Sequence, residues 1–531
     1  MEGSTMDYYN KLLQAIENSS DFAELNKILT RHYTKISANL SAILFNTYQN
    51  TNNFDDSSLK ILFALSYTHI EGDIKENWKQ IIFRKMKFDF YKELMIINES
   101  SEKIFSLYCE DITDESTTSE DIHFRAFLSY HFDFPAISFG QYIKILKLFN
   151  PVLSKEISGY KNLDDLLRFI LDMVLLKRPD NYQELEEEGV MFFNRGIILK
   201  EDILRIIEKS NLTKECMKDL FIDSESLTNS YFITNINKEM VGKIGVDYGK
   251  YFYIPQSPFI LNNFFQLVLK SKVVNEKKKG DILEEYVQEL LMKFFPKETV
   301  FHEIYDQEGF EQDFIIVHED VIYSIECKAK NFHEVFRNKE SAMTRLTHRF
   351  NSSIREGYEQ CRRVEKRLLI EQSDYYNSDN PKSRKSILSI SKPEKYRLKK
   401  IIILLDDFQN LAESSQEILQ DNDCWCVNVF AFEKILWYLD KNKKNKIEIL
   451  EDYIDFRLKS RKITTSVNSD ELSHFGLFIS KTYRFPSGFF DKDIGISLHL
   501  KNSFSQFSEE FDIQTFKEEL DKLFDYSVKV V

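Results

Sequence analysis

Through the first 225 residues, apolar side chains recur three and four positions apart. YYNKLLQAIENS, DFAELNKILTRHY, SLKILFALSYTHI, FGQYIKILKLF, LDDLLRFILDMVLL and KEDILRIIEKS all carry this spacing, which gathers them on one side of an α-helix. Ser20-Asp21, and Asn162 ahead of Asp164-Asp165, read as N-cap starts. Near residue 230 the pattern changes. NSYFITNI and GKYFYIPQ read as two short strands, SPFILNNFFQLVLKSKVV as an apolar helix, and NEKKKG (275–280) as a charged break. An amphipathic helix, DILEEYVQELLMKFF, then precedes three strands: TVFHEIY, EQDFIIV and VIYSIECKA. A long polar helix over 339–370 and a polar basic loop over 371–398 follow. After them come strands KKIIILLDD and CWCVNVFAF and the helix EKILWYL. Strands and helices in this order predict a mixed sheet with helices on its faces. The fold class expected is α+β, a helical N-terminal half followed by an α/β domain with a central mixed sheet. The divisions expected are 1–225 (helical, regulatory or interacting), 226–275 (a β pair and connecting helix), 276–440 (the sheet-bearing domain) and 441–531 (a mixed C-terminal extension).

Composition narrows the class. Of 531 residues, 43% are hydrophobic and 14% aromatic, ample for large cores and unlike a disordered chain. No run of about 18 apolar residues occurs, so no membrane span is expected. The opening MEGSTMDYYN lacks the basic-then-apolar pattern of a secretory signal. The six cysteines form no CxxC pair, and Cys424 and Cys426 fall on one face of an apolar segment. Reduced thiols in a cytoplasmic protein are therefore expected. The net charge of −14 is unevenly spread: residues 328–400 hold 19 Lys and Arg against 9 Asp and Glu, a balance of +10 that leaves the remainder near −24. An acidic body with one basic region suits local binding of a polyanion.

Between 311 and 330 the chain reads EQDFIIVHEDVIYSIECKAK, strand-like and apolar yet carrying Asp313, Glu326 and Lys328. Unpaired buried charge costs several kcal/mol, so these residues either face solvent as a salt-bridged pair of strands or form a site. By strand alternation Ser324, Glu326 and Lys328 share one face. If a hairpin places Val317 opposite Ile322, Asp313 comes opposite Glu326, with Cβ atoms about 5 Å apart; a one-residue slip would undo this. Two carboxylates so placed call for a cation, and magnesium takes such oxygen ligands together with substrate phosphates. An adjacent lysine is suited to orient a water, which completes a set for phosphodiester hydrolysis.

Asp313-x12-Glu326-Cys327-Lys328 resembles the D…ExK core of the PD-(D/E)XK nuclease superfamily, the restriction-endonuclease-like fold, over about residues 276–440. Gln312 stands where the family name has Pro. The resemblance implies a glutamate from the preceding helix, met by Glu284 (or Glu285), and a glutamine on the following helix, met by Gln360. Asp313, Glu326 and Glu284 are then the expected ligands of Mg²⁺, for which Mn²⁺ can substitute. Arg337, Arg345, Arg349, Arg355, Arg362, Arg363 and Lys366 are expected to hold nucleic-acid phosphates. The implied activity is a metal-dependent nuclease of the cytoplasm acting on DNA in preference to RNA. By analogy with large members of the superfamily, it would be a prokaryotic restriction or anti-phage effector. Its N-terminal half would gate it, oligomerise or take a protein partner.

Other chemistry finds little footing. No GxxxxGK[ST] is present, so no ATP is expected to bind, and HExxH, GxSxG and EF-hand patterns are missing. Arg125 and His131 match the loose spacing of HEPN-type ribonucleases but lie in IHFRAFLSYHFDF, where a helical core is the commoner explanation. The competing class is a module of the same fold that grips nucleic acid without cutting it, or a subunit controlled by a partner.

Overall fold

The computed structural model describes residues 2–20, 137–175, 197–223, 240–249, 251–254, 260–331, 339–408, 423–459, 471–480 and 505–524, with scattered positions elsewhere. NSYFITNI, SLKILFALSYTHI, the Arg125–His131 segment and Arg337 lie outside the described residues.

The chain is mixed α and β. In its first part, helices Glu2–Glu17, Phe139–Leu148, Leu163–Leu175 and Lys200–Lys209 coincide with four of the periodic segments. Ser138 starts the second with a reciprocal capping box to Gln141, satisfying helix-end donors on both sides. Four short strands then form a small sheet: β1 (Ile197–Leu199), β2 (Phe221–Asp223), β3 (Gly245–Asp247) and β4 (Tyr251–Tyr253), in the order β1-β4-β3-β2. Only β4 falls in a segment read as a strand. The other strands are three residues each, too short to carry a period of two.

The larger sheet holds seven strands: β5 (Val300–Tyr305), β6 (Glu311–His318), β7 (Val321–Lys328), β8 (Tyr375–Tyr376), β9 (Ser386–Leu388), β10 (Arg397–Leu404) and β11 (Cys424–Asn428). Their spatial order is β11-β10-β7-β6-β5-β8-β9. β10 runs parallel to both β7 and β11, and the remaining pairs are antiparallel. Central parallel strands are covered on both faces, so KKIIILL is a nearly unbroken apolar run. The β6–β7 hairpin pairs Val317 with Ile322 and ends at Phe314 with Ile325. That is the register under which Asp313 comes opposite Glu326.

Three expectations need correction. NEKKKG is no break: Asn275 caps helix Glu276–Phe294, accepting from Lys278 N–H, and residues 276–280 form its first turns. The strand read as CWCVNVFAF stops at Asn428, because the Asn428 side chain accepts from Ala431 N–H and caps the helix Val429–Asn442. The basic segment 371–398 is more than a loop: β8 and β9 extend the sheet beyond β5.

Helix Glu276–Phe294 covers one face of the sheet, its end packing Phe295 on Tyr323. The long helix over 339–370 covers the other, putting Val364 and Leu368 against Ile315 and Ile322. It is continuous, with π-type turns at Asn351–Arg355 and Lys366–Ile370. One buried apolar cluster runs from Tyr9 through Tyr142, Phe265 and Phe430 to Leu523. Within it Glu433 accepts from Gln141 Nε2 (2.8 Å), Lys144 Nζ (2.7 Å) and Tyr286 Oη (2.6 Å). Helix Phe139–Leu148 is thus bonded to helix Val429–Asn442, whose Glu433 also holds Tyr286 of helix Glu276–Phe294.

Candidate active site

The last bonded pair of the β6–β7 ladder is Phe314–Ile325, and the next residue along each strand is Asp313 and Glu326. Here backbone pairing gives way to a side chain: Cys327 N–H donates to Asp313 Oδ2 (2.7 Å). Gln312, where the family name has Pro, ties the strands as well, its Nε2 donating to Ile325 O (2.9 Å). Lys328 Nζ lies between two acceptors, Glu326 Oε2 at 2.9 Å and Gln360 Oε1 at 2.5 Å. The helix bearing Gln360 comes this close because residue 357 is glycine. A Cβ there would fall 3.2 Å from Lys328 Cε and 3.4 Å from Ile402.

Burial sets the electrostatics. Asp313 is 8% exposed and Glu326 0%, and only 11% of the Lys328 side chain meets solvent. Burial, and then the neighbouring Asp313, raise the Glu326 pKa well above the ordinary carboxylate value. Burial also raises Asp313, against the pull of Lys328 and of the Cys327 N–H. Glu284, half-buried on helix Glu276–Phe294, is pushed up to about 8, by burial first and then by Asp313, Glu311, Asp281 and Glu303. Glu311 rises too, from burial and Asp313. Burial pulls the Lys328 amine down, but Glu326 and Asp313 more than offset it, and the lysine stays charged. One ammonium therefore faces an excess of carboxylates.

This donor set fits a hard divalent cation. Glu326 Oε1 is fully buried and has no hydrogen-bond partner, a state that costs about 1–3 kcal/mol or more for a charged group. Asp313 is the carboxylate beside it, and paired carboxylate oxygens suit magnesium or manganese, although among the described residues the trio of ligand atoms within 4.8 Å of one another is Glu284, His302 and Glu303.

Glu303 and His302 went unnoticed in the sequence. Glu303 lies between the bonded pairs His302–Phe314 and Ile304–Gln312, beside Asp313 on the next strand, but is itself unpaired, with φ at +49°. This left-handed residue breaks the alternation of β5: His302 stacks on Phe314 (4.6 Å between centroids), whereas Ile304 enters the smaller core. Ligand atoms of Glu284, His302 and Glu303 thereby lie within 4.8 Å of one another. The only sequence signal was a His-Glu pair inside the apolar strand VFHEIY, and nothing in it announced the backbone turn.

The expected phosphate-binding cations that are described all lie along the helix over 339–370. Arg345, Arg362 and Lys366 are exposed, and Arg349, Arg355 and Arg363 half-buried. Several have partners close by: Arg355 Nε donates to Asn351 (2.9 Å), Lys366 meets Glu371 (3.2 Å), and Arg362 meets Glu359 (3.7 Å). Among the described residues no helix is long and apolar enough to cross a membrane. No protein-family model, curated protein or solved structure matches this chain.

Proposed function

We propose that this chain is a metal-dependent endonuclease of the PD-(D/E)XK type that hydrolyses phosphodiester bonds in DNA. The observation that carries the proposal is the convergence of Asp313, Glu326 and Lys328 where β6 and β7 part, with the buried Glu326 Oε1 left without a partner. Asp313, Glu326 and Glu284 would hold magnesium, or manganese in its place, and the bound ion supplies charge neutralisation at the phosphate and acidifies water.

The chain's own residues account for the rest. Lys328 is a fixed, buried cation beside the carboxylates, suited to orient the attacking water and to offset charge that builds on the phosphate. Gln360 locks the lysine from the covering helix. Cations along 339–370 hold the phosphate backbone to either side. The N-terminal helices gate the enzyme in this reading, in the manner of a prokaryotic restriction or anti-phage effector. Supporting that part is the bonding of Gln141 and Lys144 to Glu433, which ties them to the sheet-bearing part.

The test is cleavage of supercoiled plasmid, linear duplex, single-stranded DNA and RNA in Mg²⁺, Mn²⁺ or EDTA, comparing the parent with Asp313→Ala. Metal-dependent cutting that the variant loses is the expected result. Binding in a gel shift without cutting by the parent under any condition would instead identify a module that grips nucleic acid.

A further inference from the structure

Among the described residues, Phe310 is the one aromatic among the exposed large apolar side chains, with half its surface open. It ends the turn that leads from β5 into β6, three residues ahead of Asp313. At about 3.3 Å per residue that is about 10 Å along the strand.

The turn is built to stay in place. Asp306, 1% exposed, accepts from the N–H groups of Glu308 (2.9 Å) and Phe310 (3.0 Å) through Oδ1. Its backbone closes the turn with Phe310 O and Gly309 N–H, both at 3.0 Å, and Gly309 adopts φ +84°, which glycine reaches without strain. Arg367, buried beneath, bridges Asp306 Oδ2 (3.3 Å), Glu308 and Glu371. Half of the ring stays open to solvent on this firmly held turn.

One cation lies over the ring, and others lie on the neighbouring hairpin. The Arg363 guanidinium lies 4.5 Å from its centroid. Beside it the β8–β9 hairpin rests on the turn: Arg384 donates to Gln307 O (2.9 Å) and stacks over Tyr376 at 4.4 Å. The hairpin's loop, NSDNPKSRK (377–385), carries three cations against one acid. An exposed aromatic face set among cations matches the chemistry of an unpaired nucleobase with its phosphates; in a duplex the base faces are already stacked on one another.

We infer that Phe310 is a stacking platform for an unpaired base, placed by Arg363 and the β8–β9 hairpin a short distance from the scissile phosphate, so that this nuclease engages single-stranded DNA or unpaired DNA within a duplex. The inference rests on the nuclease reading above and names its substrate class.

The test is fluorescence anisotropy in EDTA, so that nothing is cut, using an unstructured thymidine oligonucleotide and a mixed-sequence duplex of equal length. Phe310→Ala should weaken single-strand binding about tenfold and change duplex binding by less than about twofold. Phe310→Trp should restore single-strand binding, and its indole emission should be quenched as the oligonucleotide is added. Equal single-strand affinity in the parent and Phe310→Ala, or an equal loss on both probes, overturns this inference and leaves the nuclease reading standing. A parent protein that binds neither probe overturns this inference as well, while the cleavage assay in Mg²⁺ or Mn²⁺ decides the nuclease reading separately.

Discussion

Two buried clusters of charge in this molecule are built to opposite standards. Around Arg457 and Glu471, whose side chains are each 4% exposed, both carboxylate oxygens are answered. Glu471 Oε1 accepts from Trp425 Nε1 (2.9 Å), Tyr453 Oη (2.5 Å) and Arg457 Nε (3.1 Å), while Oε2 accepts from Arg457 Nε as well (3.0 Å). Around Glu326 the burial is just as complete, yet one carboxylate oxygen has no partner and acids outnumber the single lysine. A satisfied buried ion pair specifies packing, whereas an unsatisfied one is a cost that folding alone does not explain. Of the two, the Glu326 cluster is the one whose paired carboxylates a bound cation would complete.

The comparison can be broken at several points. The largest effect is expected in catalysis: Glu326→Ala, Asp313→Ala or Lys328→Ala should lower the cleavage rate by about three orders of magnitude or more while the circular dichroism spectrum is kept. A Lys328→Ala protein that cuts as fast as the parent ends the assignment of this site. Next is stability. Glu471→Ala removes the buried carboxylate that Arg457, Trp425 and Tyr453 share and should cost about 3–5 kcal/mol in urea unfolding. Glu326→Gln, measured in EDTA, should change stability by no more than about 1 kcal/mol because it removes a carboxylate already poorly placed. Similar losses at the two positions would erase the distinction.

A smaller effect should appear with pH. In the metal-free protein Glu284 rises from 4.5 to about 8, and Asp313 and Glu326 rise with it. The folded state then binds protons that the unfolded chain has released. The resulting stability is fully present below the unfolded carboxylate pKa and is lost as pH rises through the folded one. The melting temperature in EDTA should therefore fall by a few degrees between about pH 5 and about pH 8, and Mg²⁺ should raise it more at the upper end. A melting temperature that climbs across this window would mean that the carboxylates are ionised and satisfied without metal. The smallest effect is at Gln360: alanine there frees the Lys328 amine and should slow cleavage about tenfold, whereas Glu359→Ala on the exposed side of the same helix should not.

Much of this was legible before the fold. Apolar periodicity marked helices such as Phe139–Leu148, Leu163–Leu175, Lys200–Lys209 and Glu276–Phe294, though not the C-terminal Ser505–Phe524. The Asp313, Glu326 and Lys328 positions stood out as charges in strands otherwise apolar. Strand alternation put Glu326 and Lys328 on one face, and the short connection allowed the hairpin register that the structure then selected. These are local properties, set by covalent spacing and by the period of each element.

Other features depended on chain segments far apart in sequence. Three-residue strands such as β1 and β2 have no period to read and exist because partners bond to them. The strand β11 ends at Asn428 because a cap competes with the sheet. Glu303 joins Glu284 only through a left-handed backbone turn inside a strand. The sequence by itself determined which residues could form a site and which faces they occupy. Only the tertiary structure decided that Glu326 is buried with one oxygen unanswered, because burial and hydrogen-bond satisfaction depend on what packs above a strand, and the helix carrying Gly357 and Gln360 lies some thirty residues further along the chain.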